Sequence, residues 1–467
     1  MAMTEERRPT EPTTAAPTTP EPPDDDPAIP TAPGPATADL DRRNFFRVFS
    51  REAVQTAVTV VGAASAVRKG TTAAAVELLG MGVDPDGSAR RLAAAIGMEP
   101  PAASSIVGRS PYRFDGERML VLDQRRLPAE IIEAVCSSGG EVAGLVREGA
   151  VGPGPVLGPI AAYALVMAAE RNVAARPFVR SATIRGTANA LRSARPDAAA
   201  LEVAVARVMA TWERVRREHA EADVAETASG AAIAAAMRAE ADAIAFETMD
   251  GLGRLVGHGA ALLPQPDDRP LEVVTIGATG PLSAGVIGTA AGVMAAIAAA
   301  GRPIHAWVLE ARPGRAGARI GAAELLALDV PTTVIADGAM GWLFRDHTID
   351  AVLLGADRIA ADGDVASVAG TYPLALTAAR HGVPVYVCAL AATIDAKAAT
   401  GDSLPIVMRG RHDLLDLPEP LLEGIDARVP SSDVTPADLI TGYVTEGGLL
   451  RTPFDPAVAS MSAAEPA

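Results

Sequence analysis

Apolar positions recur along this chain with three different spacings, and each spacing predicts a different kind of structure. Residues 112–122 alternate apolar and polar side chains around Asp115-Gly116, which predicts a β-hairpin. Residues 128–137, 157–171, 184–195, 198–219 and 224–256 carry Leu, Val, Ile and Met at three- and four-residue spacing, with Glu and Arg between, which predicts helices with one apolar stripe. From residue 271 the pattern changes to short, nearly continuous apolar runs at 271–276, 303–309, 332–335, 351–354 and 385–388. Runs of this kind are expected of strands buried on both faces of a parallel sheet. Helices predicted to begin near Ala284, Ala316, Met340 and Val365 separate them. The expected fold is therefore α/β: a mostly helical N-terminal lobe with a small β-hairpin, followed by a Rossmann-like, doubly wound parallel sheet.

The two ends lack these patterns. Residues 1–40 are rich in Pro, Thr, Ala and acidic side chains and have no apolar period to offset the entropy of ordering, so a disordered tail is expected. Residues 41–108 predict an N-terminal helix, with Phe45, Phe46, Phe49, Val54, Val58 and Val61 on one side, and then a linker marked by turn signals at 84–87 and Pro100-Pro101. The helical lobe is expected over 109–264, the sheet lobe over 265–454 and a second disordered tail over 455–467. Arg42-Arg43 ahead of the apolar run 53–67 imitates an export signal, but Arg51 and Glu52 interrupt the approach to the run. A cytoplasmic location is expected, and no run is long and charge-free enough to predict a membrane span.

Composition narrows the function. Of 467 residues 49% are hydrophobic and 21% charged, enough to bury a large core. A net charge of −16 argues against a nucleic-acid partner, whose phosphates need a basic face. Two distant cysteines, Cys136 and Cys388, and six scattered histidines offer neither a disulfide framework nor metal-ligand spacing, so no cofactor is expected.

Candidate chemistry concentrates in residues 352–395. A strand ends at Gly355, the cluster Asp357, Arg358, Asp362 and Asp364 follows, and a helix leads back to a second strand, giving a βαβ unit. Side chains just past the carboxyl end of such a strand face the crevice where ligands bind, although an Asp beside an Arg is equally suited to an ion pair. The run Gly277-Ala278-Thr279-Gly280-Pro281-Leu282 after the first sheet strand has the small residues that let backbone N–H groups approach an anion; glycine also serves any tight turn.

The runs Gly355-Ala-Asp-Arg-Ile-Ala-Ala-Asp-Gly-Asp364, Gly370-Thr-Tyr372 and His381-Gly-Val-Pro-Val-Tyr-Val387, with Glu310-Ala-Arg-Pro313 and Asp433-Val-Thr-Pro-Ala-Asp-Leu-Ile440, resemble the methylthioribose-1-phosphate isomerase family. That family shares its fold with the alpha, beta and delta subunits of translation initiation factor 2B. The resemblance runs from about Ile106 to Phe454 and implies Asp357 as a catalytic group. It implies Arg185, Gly277, Thr279, Gly280, Arg312, Arg319, Asp337, Arg358, Gly370 and Thr371 around the substrate, with Arg315 as a further cation. It also implies a homodimer and a small phosphorylated sugar or nucleotide as ligand.

This chain departs from the pattern at Gly277, where the isomerases carry a catalytic Cys, and at Ser367-Val368, where they carry Asn-Lys. It further has Gly152-Pro153-Gly154-Pro155 in place of an Arg-Gly-Ala-Pro phosphate grip. Two functions stay open: an aldose–ketose isomerase of methionine salvage, or a non-catalytic sugar-phosphate or nucleotide-binding regulatory protein of the initiation-factor type. Cys388, at the carboxyl end of a predicted strand, is the one candidate thiol for the vacated role.

Overall fold

The computed structural model describes residues 109–222, 225–285, 287–414 and 424–454. The tails expected over 1–40 and 455–467, and the helix and linker expected over 41–108, lie outside them.

Strands β1 (Tyr112–Phe114) and β2 (Met119–Leu122) form the expected hairpin, with the Asp115 carboxylate accepting the Glu117 and Arg118 N–H groups at the turn. Strand β3 (Glu133–Cys136) then pairs antiparallel with β2, where a helix over 128–137 was expected. Its residues alternate faces, Val135 being 54% exposed and Cys136 2%, and that period of two belongs to a strand.

Five helices follow: α1 (Gly139–Arg147), α2 (Leu157–Glu170), α3 (Pro177–Ala194), α4 (Ala199–Glu221) and α5 (Glu226–Leu262). Ser138 caps α1 by accepting the Glu141 N–H, and the Glu141 side chain reaches back to the Ser137 N–H. Helix α2 is apolar and buried on every side, and α1, α3, α4 and α5 pack around it. Helix α5 joins the two cores, burying Ile233 to Ala245 in the first and Leu252 and Leu255 in the second.

The second core surrounds a sheet. In chain order the strands of this lobe are β4 (Leu271–Ile276), β5 (Ile304–Leu309), β6 (Thr332–Ile335) and β7 (Ala351–Leu354), then β8 (Arg358–Ala360), β9 (Val365–Val368), β10 (Val385–Cys388), β11 (Ile394–Asp395), β12 (Ser432–Thr435), β13 (Gly442–Thr445) and β14 (Gly448–Leu450). The main sheet has the order β14-β13-β10-β7-β4-β5-β6, parallel throughout except for the edge strand β14. Winding runs outward from β4 through β5 to β6, then jumps to β7 and runs the other way. The switch between β4 and β7 opens a crevice at their carboxyl ends.

Helices α6 (Pro281–Ala284), α7 (Ala290–Ala299), α8 (Ala322–Ala327), α9 (Met340–Asp346), α10 (Thr371–Arg380) and α11 (Arg411–Leu414) complete the described fold. A helix expected to start at Val365 is instead β9, which lies between β8 and β12 in a separate sheet ordered β11-β8-β9-β12. Val365 and Ala366 are buried there, and the helix begins only at Thr371. No helix among the described residues is long and apolar enough to cross a membrane.

Candidate active site

The crevice at the β4–β7 switch is floored by the turn that follows β4. Gly277 has φ +79°, a left-handed value that glycine adopts without penalty, and a methyl group on its Cα would lie 3.1 Å from Val368 Cγ1. Thr279 ties the turn to the next helix: its Oγ1 accepts the Ala291 N–H at 3.2 Å and its carbonyl accepts the Thr289 N–H at 2.8 Å. Gly280 has no room for a side chain, because a Cβ there would come within 2.4 Å of the Glu324 carboxylate.

Glu324 lies beneath this turn, 2% exposed, and its Oε1 accepts the Leu282 N–H at 2.7 Å. Among the described residues its Oε2 has no hydrogen-bond partner. Burial pushes the carboxyl up to about 8, against the pull of the Leu282 and Gly280 amides. Gln124 braces the turn from the helical lobe, its Nε2 donating to the Leu282 carbonyl at 2.8 Å and its Oε1 accepting the Gly152 N–H at 3.0 Å. The Val156 N–H donates to the Ser283 carbonyl at 3.1 Å, so the Gly152-Pro153-Gly154-Pro155 loop is pinned against the same turn.

Asp357 enters from the other side of the switch. Its N–H donates to the Ala366 carbonyl at 2.9 Å, and its own carbonyl accepts the Ala199 N–H at 3.1 Å from the start of α4. Gly355, two residues earlier, abuts the turn: a methyl on its Cα would lie 3.3 Å from Thr279 Cγ2. The Asp357 carboxylate makes no hydrogen bond among the described residues. Burial raises it to about 7, with Arg195 opposing the rise and Asp197 adding to it.

Gly370, φ +107°, and Thr371 close the crevice at the start of α10. A methyl on Gly370 would lie 2.8 Å from Ile276 Cδ1, and Thr371 Oγ1 donates to the Val368 carbonyl at 2.6 Å. Asp433 occupies the helix end, accepting the Gly370 N–H at 2.7 Å and the Tyr372 N–H at 3.1 Å.

The structure thus gathers Gly277, Thr279, Gly280, Asp357, Gly370 and Thr371 at one crevice. The remaining expected residues have other partners. Asp337 accepts the Ala311 and Arg312 N–H groups at 2.9 and 2.7 Å, and the Arg312 guanidinium donates to the Leu414 carbonyl at 3.0 Å. Arg319 is committed to carbonyls of the loop after β2, reaching Leu127 at 2.6 Å and Arg125 at 2.7 Å. Arg358 is paired with Asp395. Arg185 is exposed on α3 with its guanidinium 5.2 Å from the centre of the Trp212 ring. Arg195 lies ten positions further on, about 15 Å along the helix axis. Asp362 and Asp364 belong to the β8–β9 turn, where Asp362 accepts the Asp364 N–H and Asp364 accepts the Ala437 N–H.

Cys388 is not a thiol for this crevice. It is wholly buried in the core on the α5–α7 side of the sheet, and burial pushes it up to about 12. Sequence reading also missed Glu324, Gln124, Arg195 and Asp197. Only Glu324 left a signal, as the single acid in the run Ala322-Ala-Glu-Leu-Leu-Ala327.

A parallel sheet in this winding order, a glycine turn after its first strand and an acid past its fourth, all docked against a helical lobe, define the class of protein. The profile of the initiation factor 2 subunit family matches residues 155–452, and the chain belongs to that family. It is 36% identical over 351 residues to a protein of Parasynechococcus marenigrum named methylthioribose-1-phosphate isomerase, covering 75% of this chain and 96% of that one. A protein of the same name from Anaeromyxobacter is 37% identical over 358 residues, covering 76% and 97%. Among solved structures, the 5-methylthioribose 1-phosphate isomerase of Pyrococcus horikoshii superposes with a TM-score of 0.63 at 26% identity, covering 76% of this chain and 95% of that one. The translation initiation factor eIF-2B subunit delta of A. fulgidus gives 0.60 at 27% identity, covering 75% and 99%. The resemblance read from the sequence is borne out at the level of family and fold.

Proposed function

We propose that this protein is an aldose–ketose isomerase acting on a sugar 1-phosphate of the methylthioribose-1-phosphate type, with Asp357 moving the proton. The observation that carries this reading is the place of Asp357, just past the carboxyl end of β7 at the switch point of the sheet; desolvation there raises its carboxyl to about 7, so both protonation states are at hand at neutral pH. The relatives' names supply the substrate class. In the reaction the bond between C1 and the ring oxygen breaks, and that oxygen takes a proton from the Asp357 carboxyl. The C2 hydrogen passes with its bonding pair to the electron-deficient C1, and the carboxylate takes the proton of the 2-hydroxyl as C2 becomes a carbonyl. Donated and recovered protons balance, so one carboxyl serves both steps. The phosphate stays on C1 and the product is the ketose 1-phosphate.

The test is NMR observation of methylthioribose 1-phosphate incubated with the wild-type protein and with Asp357→Asn. Conversion by the wild type and a loss of about 10² to 10⁴-fold in the variant are expected. Equal rates in the two proteins would overturn the role of Asp357.

A second reading is favoured by Gly277 and Val368, which bring neither a titrating group nor a cation to the crevice. In it the protein binds a small phosphorylated sugar or nucleotide without turnover and serves regulation. A ligand-induced rise in melting temperature with no conversion would select it. In either reading we propose a cytoplasmic homodimer, in methionine salvage if the isomerase reading holds; light scattering giving a monomer at micromolar concentration would count against the dimer.

A further inference from the structure

We propose that Gln124 is a positioning residue for the ligand: its side-chain amide, reaching out of the helical lobe, holds the turn after β4 and the Gly152 loop at one separation, and so sets the width of the crevice on the side away from Asp357. The inference rests on the crevice being the ligand site, as proposed above, and needs no turnover.

Gln124 lies two residues after β2 and is 5% exposed. Its Nε2 donates to the Leu282 carbonyl at 2.8 Å and its Oε1 accepts the Gly152 N–H at 3.0 Å. A carbonyl only accepts and an N–H only donates, so the amide has a single orientation. Neither an ionised nor an apolar side chain of its length offers a donor on one edge and an acceptor on the other.

The segments it joins have few other ties. Pro153 and Pro155 carry no N–H, which leaves Gly152 and Gly154 as the backbone donors of their loop, and Gln124 takes the first. Behind the loop the Val156 N–H donates to the Ser283 carbonyl at 3.1 Å, and Gly154 has no room for a side chain against that same carbonyl. On the turn, Leu282 is gripped from both lobes, its carbonyl by Gln124 and its N–H by Glu324 at 2.7 Å. The turn cannot shift toward either lobe without breaking one of two buried hydrogen bonds.

Gln124 is itself anchored. Its N–H donates to the Ala150 carbonyl at 2.8 Å, and its carbonyl accepts Arg319 Nη2 at 3.1 Å, the same nitrogen that reaches the Arg125 and Leu127 carbonyls. Leu122 and Leu127 from the helical lobe pack with Leu282 and Ile320 from the sheet lobe in a small separate core that joins the lobes at this point. Arg319, expected at the ligand, therefore works one step behind it, by fixing the backbone from which Gln124 reaches.

The test is calorimetric titration of wild type, Gln124→Glu and Gln124→Met with methylthioribose 1-phosphate, at a temperature where the proteins are folded. At about pH 9 the carboxylate in Gln124→Glu sets an acceptor against the Leu282 carbonyl, and Kd should rise about tenfold over wild type. At about pH 5.5 that buried carboxyl regains its proton and can donate to the Leu282 carbonyl again, so the ratio to wild type should return toward one. Gln124→Met should bind more weakly than wild type by a ratio that pH does not change. The ionisable groups nearby, Arg319, Glu324 and the Asp123–Arg125 pair, are common to all three proteins, so the ratio removes their titration. A residue serving stability alone would lower the melting temperature of the variants and leave the ratios at one. If one variant fails to fold, the other decides: a ratio of one at the alkaline pH overturns the proposal, as does an excess in Gln124→Glu that persists unchanged at the acid pH. Wild type that binds the sugar phosphate without converting it sinks the isomerase reading alone. Wild type that binds neither this compound nor any of a panel of sugar 1-phosphates and nucleoside monophosphates sinks the crevice as a ligand site, and this inference with it.

Discussion

Gly277 and Val368 face each other at the carboxyl end of β4, so close that a methyl on Gly277 would stand 3.1 Å from Val368 Cγ1. The resemblance sets a thiol at the first position and an ammonium at the second. Both polar groups are absent together, and the missing side chain at 277 leaves room for the branched one at 368. The wall of the crevice is apolar here.

Reinstating the thiol alone therefore meets two obstacles. Gly277→Cys puts a side chain on a residue with φ +79°, which costs about 1–2 kcal/mol, and crowds Val368 as well. A lower urea midpoint is expected, partly recovered when Val368→Ala is added. A single Cys variant as stable as wild type would show that the turn relaxes out of its left-handed conformation.

Asp357 also gives a stability signature that needs no substrate. Its folded carboxyl lies at about 7, above an ordinary 3.8. Between those values the folded protein keeps a proton that the unfolded chain has released, so wild-type stability falls as pH rises through the window. Asp357→Asn cannot titrate, and its advantage over wild type should widen from about pH 4 to about pH 7. Urea unfolding across that range checks it; parallel curves would place the folded carboxyl at its ordinary value.

How much of this was legible in the sequence depended on whether the signal was local. The apolar runs named five of the six parallel strands of the main sheet, β4, β5, β6, β7 and β10, and missed β13; the glycine turn and Asp357 followed from strand ends. Strand β3 was misread because Leu127, Ile131 and Ile132 also fit a helical spacing, and only pairing with β2 decides between the two. Residues 365–368 were read into the following helix because Val-Ala-Ser-Val carries no polar alternation when both faces are covered. Arg195 and Asp197 lie some 160 positions before Asp357, and no spacing rule connects them. Arg319 read as a phosphate ligand by position, whereas its fork fits the carbonyls of a loop almost 200 residues away.

Cys388 should behave as core. It is fully buried and its thiol is pushed up to about 12, so iodoacetamide should leave it unmodified in the native protein at neutral pH and label it only in denaturant. Cys388→Ala removes one buried sulfur at a cost of about 1 kcal/mol and should leave any ligand-induced melting shift unchanged. Rapid native labelling would return Cys388 to the crevice.

Glu324 yields the sharpest contrast between a charged and a neutral side chain of one shape. Its carboxyl lies at about 8 in the folded protein against an ordinary 4.5, so unfolding releases a proton between those values and stability falls as pH rises through them. Glu324→Gln keeps an acceptor for the Leu282 N–H and cannot ionise. The variant should match wild type near pH 4.5 and become the more stable protein above about pH 8. Glu324→Ala instead leaves the Leu282 N–H buried without an acceptor, a loss of about 1–3 kcal/mol that should persist at acid pH. Urea unfolding of the three proteins at about pH 5 and about pH 9 separates these effects. A Gln variant less stable than wild type at the alkaline end would mean that Glu324 works as a carboxylate, and that its charge, not its neutral shape, holds the turn beneath the crevice.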